Sequence, residues 1–193
     1  EALVSYERSL ELKPDYAEAW SDRGVALNAL KRYEEALASY ERSTELKPDY
    51  AEALYNQGLL QLSQKNFLSG FENYRWRWKV KEFSSPHIRT TLPTCSSKCS
   101  PKNNLLWAEQ GLGDEIFHAG MLNQALDKYS SVSLIADARL HPIFARSFPQ
   151  INLLNQDSYK SESFDVGFES QAPIGDLGSI LALSGEEIAA SRK

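Results

Sequence analysis

The sequence predicts a two-part chain in which stacked helical hairpins lead into an α/β segment with a parallel sheet. Three observations carry this. Residues 1–19 recur almost unchanged as 35–53, differing only at Val4/Ala38 and Leu10/Thr44, so the period is 34 residues, as Pro14 to Pro48 also gives. A fixed period in that range means stacked supersecondary units. Beyond residue 103, short apolar runs alternate with helix-patterned stretches, as in parallel strands joined by right-handed crossovers. Between them, Leu105-Leu106-Trp107-Ala108 runs into Gly111-Leu112-Gly113-Asp114 and then helical spacing at Ile116, Phe117, Gly120 and Met121. That reads as a buried strand, a tight turn and a helix N-terminus.

Composition narrows the classes. The 193 residues allow one large or two small domains, and 42% hydrophobic with 24% charged residues is ordinary for a globular chain. The net charge of −5 argues against nucleic-acid or anionic-membrane binding, because no positive field draws those partners in. No apolar run approaches the roughly 20 residues of a membrane span, and the start has no signal-peptide pattern. Two cysteines do not suggest a disulfide framework, so a reducing cytoplasm is the expected compartment.

In the complete repeat, helix A is expected over 17–30 and helix B over 33–46. Gly24 and Ala26 are small where helices approach closely, and Ala36 and Tyr40, four apart, share one face of helix B. Pro48 stops that helix. The period and these residues resemble the tetratricopeptide repeat: Trp20, Gly24, Ala36, Tyr40 and Pro48 fall on its signature positions. The next unit keeps Gly58, Phe67 and Tyr74, with Leu54 for the tryptophan and Gly70 for the alanine. The chain opens at Glu1 inside a helix B, and half a unit cannot bury its inner face. It is therefore expected to be an excerpt with more repeats before it. A solenoid offers a concave surface for a protein or peptide, and Asp22, Arg23, Asn28 and Asn56 are the helix-A residues expected to face it. The alternative is a spacer or oligomerisation element.

The last repeat helix carries Phe71-Glu72-Asn73-Tyr74-Arg75-Trp76-Arg77-Trp78. Base stacking in a basic groove is one reading. The acidic chain favours the other, in which Tyr74 and Trp78 close the solenoid end while Arg75 and Arg77 snorkel. Residues 84–102 are rich in Ser, Pro, Thr and Lys without periodicity, which reads as a linker or surface loop. Cys95, Cys99 and His87 are off the usual zinc spacing and lack a fourth ligand, so no metal is expected.

In the α/β segment, strands are expected at 104–108, 132–136 and 151–154, with helices at 114–128 and 142–147 and a fourth apolar patch at 164–168. A final helix is expected from Ser184, where Glu187 completes a capping box. The Gly111-Leu112-Gly113-Asp114 turn is the chemical feature. Glycine permits a tight bend and close ligand approach, and the helix N-terminus suits a phosphate or developing negative charge. Asp114 reads either as a cap or as a general base for a hydroxyl. The third glycine of a dinucleotide fingerprint, due after Asp114-Glu115, is missing, which argues against NAD. His118 reads as a partly buried or rim histidine before a catalytic one. His141 reads as structural, and Asp176 as a turn or cap residue.

Tyr74-Arg75-Trp76-Arg77-Trp78, then Trp107-Ala108-Glu109-Gln110-Gly111-Leu112-Gly113-Asp114-Glu115-Ile116, then Arg139-Leu140 and Arg146-Ser147-Phe148-Pro149 follow in an order that resembles a bacterial family. That family joins tetratricopeptide repeats to a GT-B glycosyltransferase-like domain. It is similar to the heptosyltransferases and, in layout, to the protein O-GlcNAc transferases. The resemblance implies two Rossmann-like domains facing across a cleft, with inverting, metal-independent transfer. The N-terminal domain holds the acceptor and the C-terminal one the nucleotide-sugar. It implies Asp114 as the base, with Glu109, Gln110, Gly111, Gly113, His118 and Arg139 lining the acceptor side.

The expected organisation is thus repeats over 1–82, a linker over 83–102 and a partial Rossmann-like domain over 103–193. About ninety residues follow the linker, too few for both halves of such an enzyme. The donor half is expected to be missing, and the chain alone inactive and without a cofactor of its own. A non-catalytic interaction scaffold is the alternative, and a nucleotide-binding regulatory domain is the third reading.

Overall fold

The structure is a computed structural model that describes residues 1–193 except 84, 86–87, 89, 99–100, 110, 156–166 and 191–193, and except the side chains of 188–190. It divides into two compact units, Glu1–Phe83 and Ser84–Lys193.

The first unit is helical: α1 (Ala2–Leu12), α2 (Ala17–Ala29), α3 (Tyr33–Leu46), α4 (Ala51–Ser63) and α5 (Phe67–Tyr74), then a 3₁₀ turn over Arg75–Lys79. Successive helices pack as hairpins around a core of Leu27, Ala36, Tyr40 and Leu60. The missing side chain of Gly24 sets how closely α2 meets α3, since a Cβ there would lie 2.6 Å from the Tyr40 ring. Gly58 does the same for α4, where a Cβ would lie 2.7 Å from the backbone nitrogen of Tyr74. Ser43 on α3 donates to the carbonyl of Ala17 at 2.8 Å, tying the hairpin at its other end. Both hairpins turn through a left-handed lysine, Lys31 (φ 61°) and Lys65 (φ 63°). Each is followed by a six-to-one bond, Arg32 to the Leu27 carbonyl and Asn66 to the Gln61 carbonyl, both 2.9 Å.

Arg77 departs from expectation. It does not snorkel; it is fully buried. Its guanidinium sits 4.4 Å from the Tyr74 ring centre and 4.7 Å from that of Trp78, with Phe83 at 6.0 Å, and it donates to the Tyr74 carbonyl at 3.2 Å. A flat, weakly hydrated cation stacks on aromatic faces at lower cost than an ammonium would, which is why this one tolerates the interior.

The second unit holds β1 (Asn103–Trp107), α6 (Leu112–Ala119), α7 (Leu122–Lys128), β2 (Ser131–Ala136), a 3₁₀ turn (Ala138–Leu140), α8 (His141–Ser147), β3 (Asn152–Asn155), β4 (Ser170–Pro173), a second 3₁₀ turn (Ile174–Asp176), α9 (Leu177–Ile180) and α10 (Gly185–Ala190). The sheet order is β3-β2-β1-β4, and every pairing is parallel: Leu106 faces Leu134 and Ala172, and Ile135 faces Leu154. The chain is therefore helical hairpins followed by an α/β unit. The Ser184–Glu187 capping box forms as read, with both Ser184 N–H and Oγ bonded to the Glu187 carboxylate at 2.8 and 2.7 Å.

Four expectations are corrected. The helix expected over 114–128 is two helices, because the chain closes into three-residue turns at Gly120 and Met121, whose N–H groups reach Phe117 and His118; glycine is a poor helix former there. β4 is Ser-Gln-Ala-Pro rather than an apolar run. It is the outer neighbour of β1, and an edge position tolerates Pro173. Of the patch expected at 164–168, residues 164–166 lie outside the described residues. The third correction concerns the linker, whose end belongs to the second unit: Cys95 N–H reaches the Gln171 carbonyl at 2.8 Å and Gln171 N–H reaches the Pro93 carbonyl at 3.0 Å. Finally, Cys95 is disulfide-bonded rather than a thiol. It lies four residues from the other cysteine, across the turn at 97–98, and its sulfur accepts from the Tyr129 hydroxyl at 3.4 Å. His87 and Cys99 lie outside the described residues.

Glu115 ties α6 to the end of β2. It is buried and accepts the Asp137 N–H at 3.1 Å. Burial raises its pKa, and that hydrogen bond opposes the rise. A raised carboxyl contributes stability below its unfolded pKa and loses it as pH rises through the folded one.

Two outcomes follow. Gly24→Ala is expected to destabilise the first unit by about 1–3 kcal/mol through overpacking against Tyr40. Gly58→Ala should cost more, because it meets backbone rather than a side chain; urea unfolding followed by helical circular dichroism checks the order. Glu115→Gln keeps an oxygen for the Asp137 N–H and is expected to stabilise the second unit at neutral pH. The gain should vanish below about pH 4, near the unperturbed carboxyl value; melting curves across pH read it.

Candidate functional site

The glycine turn lies at the carboxyl end of β1. β1 has β2 on one side and β4 on the other, so the chain switches direction across the sheet at the β1–β4 pair. Ligands of open α/β sheets gather outside the strands' carboxyl ends at such a point. β1 is bonded on both edges, hence its unbroken apolar run, Leu105 to Ala108, all buried. The ladder continues one residue further, with Ala108 N–H on the Ile135 carbonyl at 2.8 Å. Glu109 then turns inward. It is 1% exposed, and its Oε1 accepts the Gly175 N–H at 2.9 Å. One buried carboxylate thus ties the ends of β1 and β4 together.

Gly111 caps α6 with an extended backbone, φ −104° and ψ 172°, so neither Gly111 nor Gly113 is required by a left-handed turn. A Cβ at Gly111 would touch only the Asp114 Oδ2, at 3.7 Å, and one at Gly113 would touch nothing within 4 Å. The glycines leave space above the turn, and the bend itself does not need them. Asp114 is half-buried. It sits inside the first turn and accepts the Gly111 N–H at 3.3 Å, the side-chain half of a capping box. Gln110 lies outside the described residues. His118 is 3% exposed, with its ring edge-on to Phe117 at 5.1 Å. It belongs to the interior, further in than the rim position expected.

Arg139 is exposed but does not extend toward the turn. Its Nε and Nη2 clamp the two Asp137 oxygens at 2.9 and 2.7 Å, and Asp137 also accepts its backbone N–H at 2.9 Å. Those bonds hold the Asp137 carboxyl down to about 2. His141 bonds the Ala136 carbonyl at 3.3 Å, the structural role expected. Asp176 is buried in the turn after β4. Sequence reading missed Glu115 and Asp137 as members of this edge. The available signal was position: Asp137 directly follows the apolar run of β2 at its carboxyl end. A cavity of about 280 Å³ lies elsewhere, lined by Gln124, Asp127, Lys128, Leu181, Leu183 and Glu187, and none of the expected site residues borders it.

On the repeats, Asp22 is exposed and Asn28 and Asn56 half-buried. Arg23 turns inward instead: Nη1 donates to Ser39 at 2.6 Å, Nη2 lies 3.7 Å from Glu7, and the guanidinium stacks on Trp20. It holds α2 to its neighbours. Sequence reading missed the two apolar residues beside Asp22 and Asn56: Val25, 46% exposed, and Leu59, 41% exposed. They are 34 residues apart, which was the signal. Among the described residues no helix is long and apolar enough to cross a membrane.

Residues 17–50 match the tetratricopeptide repeat family. Protein FlbA of Caulobacter vibrioides is 30% identical over 163 residues, covering 79% of this chain, and the chain spans 27% of that relative's length. Among solved structures, the TPR2B domain–pHsp70 complex of yeast Sti1 is similar over 38% of this chain and 59% of that one, at 24% identity and a TM-score of 0.37. A Thermobaculum terrenum O-GlcNAc transferase mutant, K341M, is similar over 74% of this chain and 36% of that one, at 15% identity and a TM-score of 0.37. The chain thus carries a tetratricopeptide repeat at 17–50 within its helical unit.

Proposed function

We propose that the chain joins a peptide-binding repeat array to the acceptor-side half of a GT-B-type glycosyltransferase. In the whole protein that enzyme would move a sugar from a nucleotide-sugar to an acceptor hydroxyl. The single observation behind this is the β1–α6 turn: it lies at the switch point of an all-parallel sheet, and its two glycines leave the space above it open. In this reading the Asp114 carboxylate takes the proton of the acceptor hydroxyl as its oxygen bonds to the anomeric carbon, and the bond from that carbon to the nucleotide diphosphate breaks. Glu109 acts through position, holding the β1 and β4 ends at the spacing the acceptor meets. The nucleotide-sugar belongs to the opposite half of the enzyme.

A second reading has its own support. Asp114, Glu109 and Arg139 are each engaged by their own chain, as a non-catalytic interaction scaffold would leave them.

Asp114→Asn separates the two. The amide keeps an oxygen for the Gly111 N–H, so the cap survives, but it cannot take a proton. In the full-length protein, turnover of nucleotide-sugar is expected to fall by about 10²–10⁴-fold, the usual worth of a general base, with peptide binding unchanged. Undiminished turnover removes Asp114 from the mechanism, and absence of turnover in the parent protein leaves the scaffold. The 193-residue chain alone is expected to give no calorimetric signal with UDP-sugars.

A further inference from the structure

The solvent-facing stripe of α2 reads Glu18, Asp22, Val25, Ala29, and that of α4 reads Glu52, Asn56, Leu59, Ser63. Each set is spaced four, three and four, which places it along one helical face. The two stripes occupy equivalent repeat positions, 34 residues apart. Val25 and Leu59 are the large apolar residues of the pair, 46% and 41% exposed. The carboxylates converge at the other end. The Tyr50 hydroxyl, pushed up to about 12 chiefly by burial, also senses Glu52, Asp22 and Glu18, and Asp22 is raised by burial and by Glu18.

Among the described residues, local cations meet this face only at Glu18, which Lys47 and Lys13 both reach electrostatically. Lys47 pairs with Glu18 at 3.1 Å, and Arg23 is spent on Ser39, Glu7 and Trp20. Asp22 and Glu52 make no ion pair among the described residues. α4 carries no Lys or Arg at all.

We propose that this double stripe docks an extended basic peptide, whose apolar side chain lies on Val25 and Leu59 while a Lys or Arg beside it meets Asp22 and Glu52. The assignment rests on the reading that the repeats bind a peptide, and it adds the chemistry of that peptide. An acidic segment would be repelled by the same carboxylates, and a purely polar basic one would leave the apolar ridge wet.

The test uses the whole 193-residue chain and three fluorescent dodecapeptides: alternating lysine and leucine, alternating glutamate and leucine, and alternating lysine and serine. Anisotropy is read at low and high salt, and the chain is also passed over an array of random dodecamers. The lysine–leucine peptide is expected to bind tightest. Val25→Ser with Leu59→Ser should weaken it about tenfold, as loss of a central apolar contact does. Asp22→Asn with Glu52→Gln should weaken it similarly and flatten its salt dependence. Asp22, Val25 and Leu59 are exposed and Glu52 half-buried, and circular dichroism verifies the fold. Equal binding of the glutamate–leucine peptide, or unchanged binding by both double variants, overturns the assignment. Array hits without the basic–apolar pattern overturn it while leaving peptide binding intact, and an array with no hits removes both.

Discussion

Parallel hydrogen bonds on both edges of β1 govern the second unit. Parallel neighbours cannot be joined by a hairpin, so helices carry the chain from β1 to β2 and from β2 to β3, and all four strands point the same way. Their carboxyl ends therefore gather on one rim. β1 comes first in the chain yet lies inside the sheet, so the later strand β4 must return to its far side. That return puts Glu109 opposite Gly175 and makes a buried carboxylate the stitch between the two halves of the sheet. The helix that leaves β1 then carries Asp114, Glu115 and His118 to the same rim. One of these caps its own helix, one fastens α6 to β2, and one is packed inside.

The first unit answers a simpler constraint, the distance at which two helices can pass. Where Gly24 and Gly58 remove a side chain, an aromatic ring or a backbone turn occupies the space. Polar residues supply the rest of the fit. Ser43 bonds the Ala17 carbonyl and Arg23 bonds Ser39, so the interior faces of the hairpins are joined by both packing and hydrogen bonds. What is left outside is the double stripe, apolar at one end and anionic at the other.

Periodicity made the helices legible. Helix B was bounded to the residue at Tyr33–Leu46, and helix A ended one residue early, at Ala29. β1 and β2 were legible because strands bonded on both sides carry unbroken apolar runs, Leu105–Trp107 and Leu134–Ala136 here. β4 was not, because Ser-Gln-Ala-Pro holds no run of large apolar residues although Ser170, Ala172 and Pro173 are buried. The break at Gly120 was hidden because apolar spacing continues through it. At the rim, Asp114 was singled out for its place after the glycines, and its bond to Gly111 was visible as one of two readings. Arg77 misled because charge pattern alone cannot tell a guanidinium enclosed by rings from one reaching water. Arg23 misled likewise, since its partners come from other helices: Ser39 sixteen residues on and Glu7 sixteen residues back.

The left-handed lysines at 31 and 65 have a bearing on how such an array changes length. Both hairpins turn through the same backbone shape, and the connections that follow a helix B, Lys13-Pro14-Asp15-Tyr16 and Lys47-Pro48-Asp49-Tyr50, are identical and closed by the same backbone bond, so the joint between one unit and the next is the same joint. Duplicating or excising one period of the coding sequence would create no new junction and leave no unmatched surface. Copy number can therefore drift by recombination between the copies, lengthening or shortening the arm without any residue needing to adapt.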